Sequence, residues 1–205
     1  MQGTFVKADI RLLVAVTCIA SLPMAAHAEW QAVETTKTYA ITGTSGRELY
    51  DSIGERGPLL GPKVRAIAHT DFKLTWTRKY ELQPDGACKI TVNIPKLIIT
   101  YTLPKPSAKL PASTRKSWQK FIAGVEAHER VHGGYIKDMV KEIEAMSVGF
   151  SVPDDPKCSK IRMELTKRLG EISNRERQRN SDFDRVEFSD GGNLQQLVLK
   201  LVKEE

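Results

Sequence analysis

Apolar residues recur at spacings of three and four from Trp118 through Phe121, Val125, His128, His132 and Tyr135 to Met139. That is the period of an amphipathic helix with one inward stripe, and two histidines lie on it. The same phase resumes through Ile136, Met139 and Ile143, so one helix is expected to run across Gly133 and Gly134. Each of those glycines costs about 1 kcal/mol relative to alanine, which points to close approach of another backbone or of a substrate. Ser113 or Thr114 is the expected N-cap. A second long helix is marked by Ile161, Leu165, Leu169 and Ile172, with Lys and Arg crowding its outer face. The segment from Gln195 to Val202 fits an edge strand or a short helix.

Upstream the period changes to two. Residues 34 to 42 alternate through Tyr39 and Ile41, and a short helix is expected from Ser45, with Glu48 as capping-box partner, to Gly57-Pro58. Val64 to Thr77 alternates again and Lys79 to Leu82 continues it to a turn at Pro84-Asp85-Gly86. Cys88 to Leu103 is the return strand or a pair of strands, with Pro95 marking an edge or a break. Residues 104 to 112, rich in proline, are expected to leave the sheet as a linker because proline has no amide donor. Strands first and helices after predict an α+β domain, a mainly antiparallel sheet followed by two long helices packed on one face.

The first 28 residues have another character. Lys7 and Arg11 precede an apolar run from Leu12 to Leu22, and Ala26-His27-Ala28 is a small-x-small cleavage signal, together the pattern of a signal peptide. The run is shorter than the roughly 20 residues that span a bilayer. Cys18 follows Thr17, a poor match to a lipoprotein site. Residues 29 to 205 then form one domain. Losing Lys7, Asp9 and Arg11 takes the formal net charge from +6 to +5, a mild basicity that serves solubility or favours anionic envelope surfaces. No nucleic-acid module is present, and after cleavage no stable membrane insertion is expected. Cys88 and Cys158 remain, and in an oxidising compartment they are expected to bond, closing a loop worth roughly 4 kcal/mol.

The chemistry concentrates at His128-Glu129-Arg130-Val131-His132. Helical positions four apart differ by about 40° of rotation and about 6 Å of rise, so both imidazoles face one cation. Zinc suits such a pair and keeps a position open for water in a catalytic site. Glu129 lies beside that water as general base. Tyr135, one turn on, is either a donor to the oxyanion of a reacting carbonyl or a core tyrosine. Arg130 points off the inward face. The third ligand is not evident: His69 is a candidate or an exposed strand histidine, and Asp138, about 80° round the helix from His128, should not reach.

The landmarks TYAITGTSGREL (38 to 49), Gly57-Pro58, the tryptophan of KLTWTRKY, Cys88, the Trp118 to Phe121 segment and HERVH (128 to 132) together resemble a bacterial family of predicted secreted zinc-dependent proteases catalogued as a domain of unknown function. The resemblance covers most of residues 35 to 190. It implies a zincin-like peptidase in which His128 and His132 hold the metal and Glu129 is catalytic. It also implies an aromatic-Asp pair followed by His-Gly near the C-terminus. Here Phe183-Asp184 is followed by Ser189-Asp190-Gly191-Gly192, without the histidine. Asp184 and Asp190 are therefore candidate ligands, as is Glu176, on the face of the second long helix that carries Ile172 and Phe183.

The leading expectation is a periplasmic or secreted zinc metallopeptidase acting on a protein or peptide. Its alternatives are a catalytically inactive peptide- or envelope-binding protein on the same fold, and a metal-sequestering protein, against which the lack of further His and Cys clusters speaks.

Overall fold

The computed structural model describes residues 30–203; the expected signal peptide lies outside them. Strand β1 (Val33–Ile41), helix α1 (Gly46–Arg56), strands β2 (His69–Leu82) and β3 (Cys88–Pro106), helix α2 (Ala112–Ser147), strand β4 (Ser151–Val152) and helices α3 (Lys160–Phe188) and α4 (Asn193–Lys203) follow in chain order. The class is α+β, as expected. The sheet, however, is mixed: β3 lies between β1 and β2, antiparallel to β2 and β4 but parallel to β1. Parallel pairing requires a crossover, and here the chain between β1 and β3 supplies one that contains α1 and β2.

The expected capping box is present, with Ser45 Oγ accepting from the Glu48 amide and Glu48 Oε2 accepting from the Ser45 amide. The β2–β3 turn also forms where expected: Gly86 adopts φ +82° and the Ala87 amide donates to Asp85 Oδ1. β2 begins only at His69, because residues 58 to 66 fold on themselves through an isolated Leu59–Arg65 bridge and an Ala66 amide donated to the Pro58 carbonyl.

The proline-rich stretch does not leave the sheet at residue 104. β3 continues to Pro106, with Pro104 and Pro106 beside Tyr39 and Ile41 of β1. The Ser107 amide donates to the Ile41 carbonyl, so odd-numbered amides of this strand aim at β1. Pro104 and Pro106 therefore lack their donors on the side where β2 has already ended opposite Thr102. Pro95 has the opposite parity and faces the β1 side, where β1 starts only opposite Ile98. The sheet tolerates all three prolines because each missing donor falls on an unpaired edge.

α2 is one 36-residue helix, continuous through both glycines. Its N-cap is Pro111 rather than Ser113 or Thr114, which lie inside the first turn; the Arg115 amide closes that turn on the Pro111 carbonyl. The N-terminal half of α2 packs with α1, the end of β1 and α4 around Leu49, Trp118, Phe121, Val125, Leu194 and Leu201. Its C-terminal half packs on β3 through Leu97, Ile99, Tyr101, Ile136, Met139 and Val140. The stretch open to either reading at the C-terminus is helical, burying Leu194 and Leu201 two turns apart. A third cluster joins the start of β3 to the start of α3, and there Cys88 and Cys158 are bonded, with Cα atoms 5.3 Å apart. Among the described residues no helix is long and apolar enough to cross a membrane.

Candidate metal centre

α2 and α3 lie against one another, and each contributes one face to the site. From α2 come His128, Glu129 and His132, all buried or half-buried; from α3 come Glu176, Asn180, Phe183, Asp184 and Glu187, spaced to share a helical face. His128 Nε2 and His132 Nε2 stand 3.0 Å apart, and Asp184 Oδ1 lies 3.2 Å from the first and 3.0 Å from the second. Among the described residues these three form a group able to offer one ligand atom each to a metal ion.

The triangle fits zinc. Ligands at roughly 2.0 to 2.1 Å in tetrahedral geometry are separated by about 3.3 Å, close to all three measured edges. The tautomer also fits. Asn180 donates its amide to the Glu176 carbonyl at 2.8 Å and to Glu176 Oε1 at 2.5 Å, so its Oδ1 is the acceptor for His132 Nδ1–H, 2.5 Å away. With the proton on Nδ1, the neutral ring turns its Nε2 lone pair to the shared point. His128 is held differently: its ring stacks on Phe183 at 4.7 Å, and its buried Nδ1 faces Glu187 Oε2 at 3.7 Å without a hydrogen bond. Glu187, itself buried, accepts from Asn193 Nδ2 at 2.8 Å.

Electrostatics follow from this crowding. Burial raises the Asp184 pKa, but hydrogen bonds and charge from both imidazoles outweigh that and hold the carboxyl far below its usual range. Burial pulls the His132 pKa down, yet Asp184 and Asn180, aided by the charge of Glu129, bring it above its ordinary value. Burial lifts Glu176, opposed in part by Asn180.

Glu129 is 6% exposed, and its Oε2 accepts from Thr70 Oγ1 at 2.5 Å. Both residues line a cleft of about 950 Å³ together with His128, His132 and Asp184. Of the four candidates for a third ligand, Asp184 alone reaches the histidines. Glu176 stands behind Asn180, Asp190 accepts from Gln195 at the turn into α4, and His69, although it lines the cleft, is outside the donor group. Asp138 pairs with Arg179 at 2.9 Å, as its helical angle requires. Tyr135 is not in the cleft: it lies under the Arg179 guanidinium and beside Phe183, lining a separate shallow groove. Thr70, Asn180 and Glu187 were not anticipated, and no motif marks them.

The basic face of α3 is largely engaged. Arg168, Arg175, Arg179 and Arg185 pair with Glu164, Glu142, Asp138 and Asp182, and Arg162 covers the Tyr80 ring.

No curated protein matches the chain, and no solved structure does. The family described as "Bacterial protein of unknown function (DUF922)" matches residues 36–192. With its histidine pair, its capping-box helix and most of its sheet inside that span, the chain belongs to this family.

Proposed function

We propose that the chain is a zinc-dependent metallopeptidase exported to the cell envelope. The observation that carries this reading is the convergence of His128 Nε2, His132 Nε2 and Asp184 Oδ1 in a cleft that also holds the buried carboxylate of Glu129. Export accords with the signal-like N-terminus and the Cys88–Cys158 disulfide.

His128, His132 and Asp184 would hold the ion; bound there, zinc supplies Lewis-acid polarisation of a carbonyl and acidifies a water. Asn180 keeps the His132 proton on Nδ1. Thr70 fixes one oxygen of Glu129 and leaves the other for the proton of the attacking water. Glu129 then passes that proton to the departing amine, so the peptide bond is hydrolysed without an acyl-enzyme. Asp184, from the aromatic-Asp pair that this chain keeps of the resembled pattern, would supply the one negative ligand from α3.

Metal analysis of residues 29 to 205 tests the reading, with peptide-library hydrolysis on the same samples. About one zinc per chain is expected, lost in His128→Ala, weakened in Asp184→Ala and retained in Glu129→Gln, with cleavage abolished in all three. Failure of the wild type to take up zinc after reconstitution would overturn it. Zinc uptake without hydrolysis would assign the chain to the peptide-binding alternative.

A further inference from the structure

We propose that the cleft selects peptides with a large apolar residue beside the bond to be cut; this rests on the peptidase reading. Three large apolar side chains stand exposed at the cleft, uncovered by any of the described residues: Leu60 at 52%, Phe72 at 37% and Phe188 at 49%. They come from three separate places, the 58 to 66 loop, the edge strand β2 and the end of α3.

Their positions tie them to the reacting groups. Phe72 lies two residues from Thr70 and so shares the β2 face that holds Glu129. The Phe188 ring meets the His128 ring edge-on at 6.1 Å. Deeper in the same cleft, Val125 and Leu194 continue the apolar wall from α2 and α4. The wall is thus continuous with the candidate metal centre, and a side chain seated on it would place its own peptide bond beside Glu129.

Charge does not offer a competing basis for recognition. The cleft's two arginines are turned to their own chain, Arg65 Nη1 to the Gly57 carbonyl at 2.6 Å and Arg177 to Ser173 Oγ and Asn174 Oδ1. The carboxylates of Glu129 and Glu176 also line the cleft, so its charges are of both signs and select neither an acidic nor a basic side chain. A cleft of about 950 Å³ is ample for a peptide segment with one bulky side chain.

Two readouts on zinc-loaded residues 29 to 205 test this. The first is kcat/KM for fluorogenic peptides that differ at one scanned position, Phe or Leu against Ser or Asp. A preference on the order of 10- to 100-fold for the apolar residue is expected next to the scissile bond, falling to a few-fold in Leu60→Ser and Phe72→Ser. The second is anisotropy of the same labelled peptides on Glu129→Gln, where binding should show the same order of preference. Cleavage without apolar preference, or a preference unchanged in both variants, overturns the inference and leaves the peptidase reading standing. Apolar-selective binding with no cleavage by the wild type overturns the peptidase reading while the apolar subsite survives. Neither cleavage nor selective binding overturns both.

Discussion

Thr70 and Tyr101 face each other across the β2–β3 ladder, and each grips α2, one turn apart. Thr70 holds Glu129 by its hydroxyl, while Tyr101 rests against Gly133, where a Cβ would come 2.0 Å from the Tyr101 hydroxyl oxygen. Directly opposed residues share a sheet face, so this pair sets both the height and the rotation of the helix that carries His128 and His132. Tyr101 is itself fixed: its hydroxyl donates to Glu34 Oε2 at 2.8 Å and Arg130 lies over its ring. Burial, with the Glu34 carboxylate beside it, pushes the phenol pKa up to about 12. The close approach at Gly133 is therefore by a side chain of β3, not by the backbone or substrate that the double glycine indicated.

Gly133→Ala is expected to destabilise the protein by about 1 to 3 kcal/mol, since overpacking against an anchored ring outweighs alanine's better helix propensity. Tyr101→Phe in the same chain should recover part of that loss by removing the nearest atom. Urea unfolding of the two variants and their combination measures it. Equal stability of Gly133→Ala and wild type would mean that α2 is free to slide on the sheet.

Thr70→Val keeps the shape of the side chain and removes the donor to Glu129. Zinc content should stay at the wild-type level, because no ligand is touched. Turnover should fall by about 10- to 100-fold through misorientation of the carboxylate. Zinc analysis beside peptide hydrolysis separates this outcome from loss of metal.

Asn180→Ala leaves α3 helical but frees the His132 ring. Zinc affinity is expected to fall about 10- to 100-fold, as read by competition with a chelating indicator. An unchanged affinity would show that packing against Phe183, not Asn180, orients the imidazole.

What the sequence carried and what it withheld follow from the range of the interactions involved. His128, Glu129 and His132 were legible because one helix sets their spacing. Asp184 stood among four candidates because its role depends on how α3 meets α2, which no local pattern encodes. Thr70 is a single hydroxyl in a strand, with nothing around it to separate it from Thr75 or Thr77. The 195 to 202 stretch satisfies both periods, and helix won because Leu194, Leu197, Val198 and Leu201 all turn to one core. The prolines at 104 and 106 misled because their cost depends on which edge their nitrogens face. Parity, not composition, decides that.

The disulfide joins the first residue of β3 to the lead-in of α3, the helix that carries Asp184. Replacing Cys88 and Cys158 together by serine should cost roughly 4 kcal/mol on the loop-entropy estimate, checked by denaturant unfolding. Zinc that binds only the folded chain should raise the stability of both proteins by a similar amount and leave this difference nearly unchanged.

Asp155 gives the fold a sensitivity to acid. It is 1% exposed, and its oxygens accept from the amides of Ser159 and Ile161 at 2.8 Å each, capping the start of α3. Burial alone would raise its pKa, but these backbone donors outweigh burial and lower it. The unfolded chain therefore binds this proton more readily than the folded one, near pH 3.9. The stabilisation is fully present above that pH and is lost as pH falls through the lower folded value. Asp155→Asn should accordingly lower Tm at pH 7, and the gap from wild type should narrow as both are taken below about pH 4. A gap of constant width between pH 7 and pH 2.5 would show that the carboxylate's charge is not what holds the end of this helix.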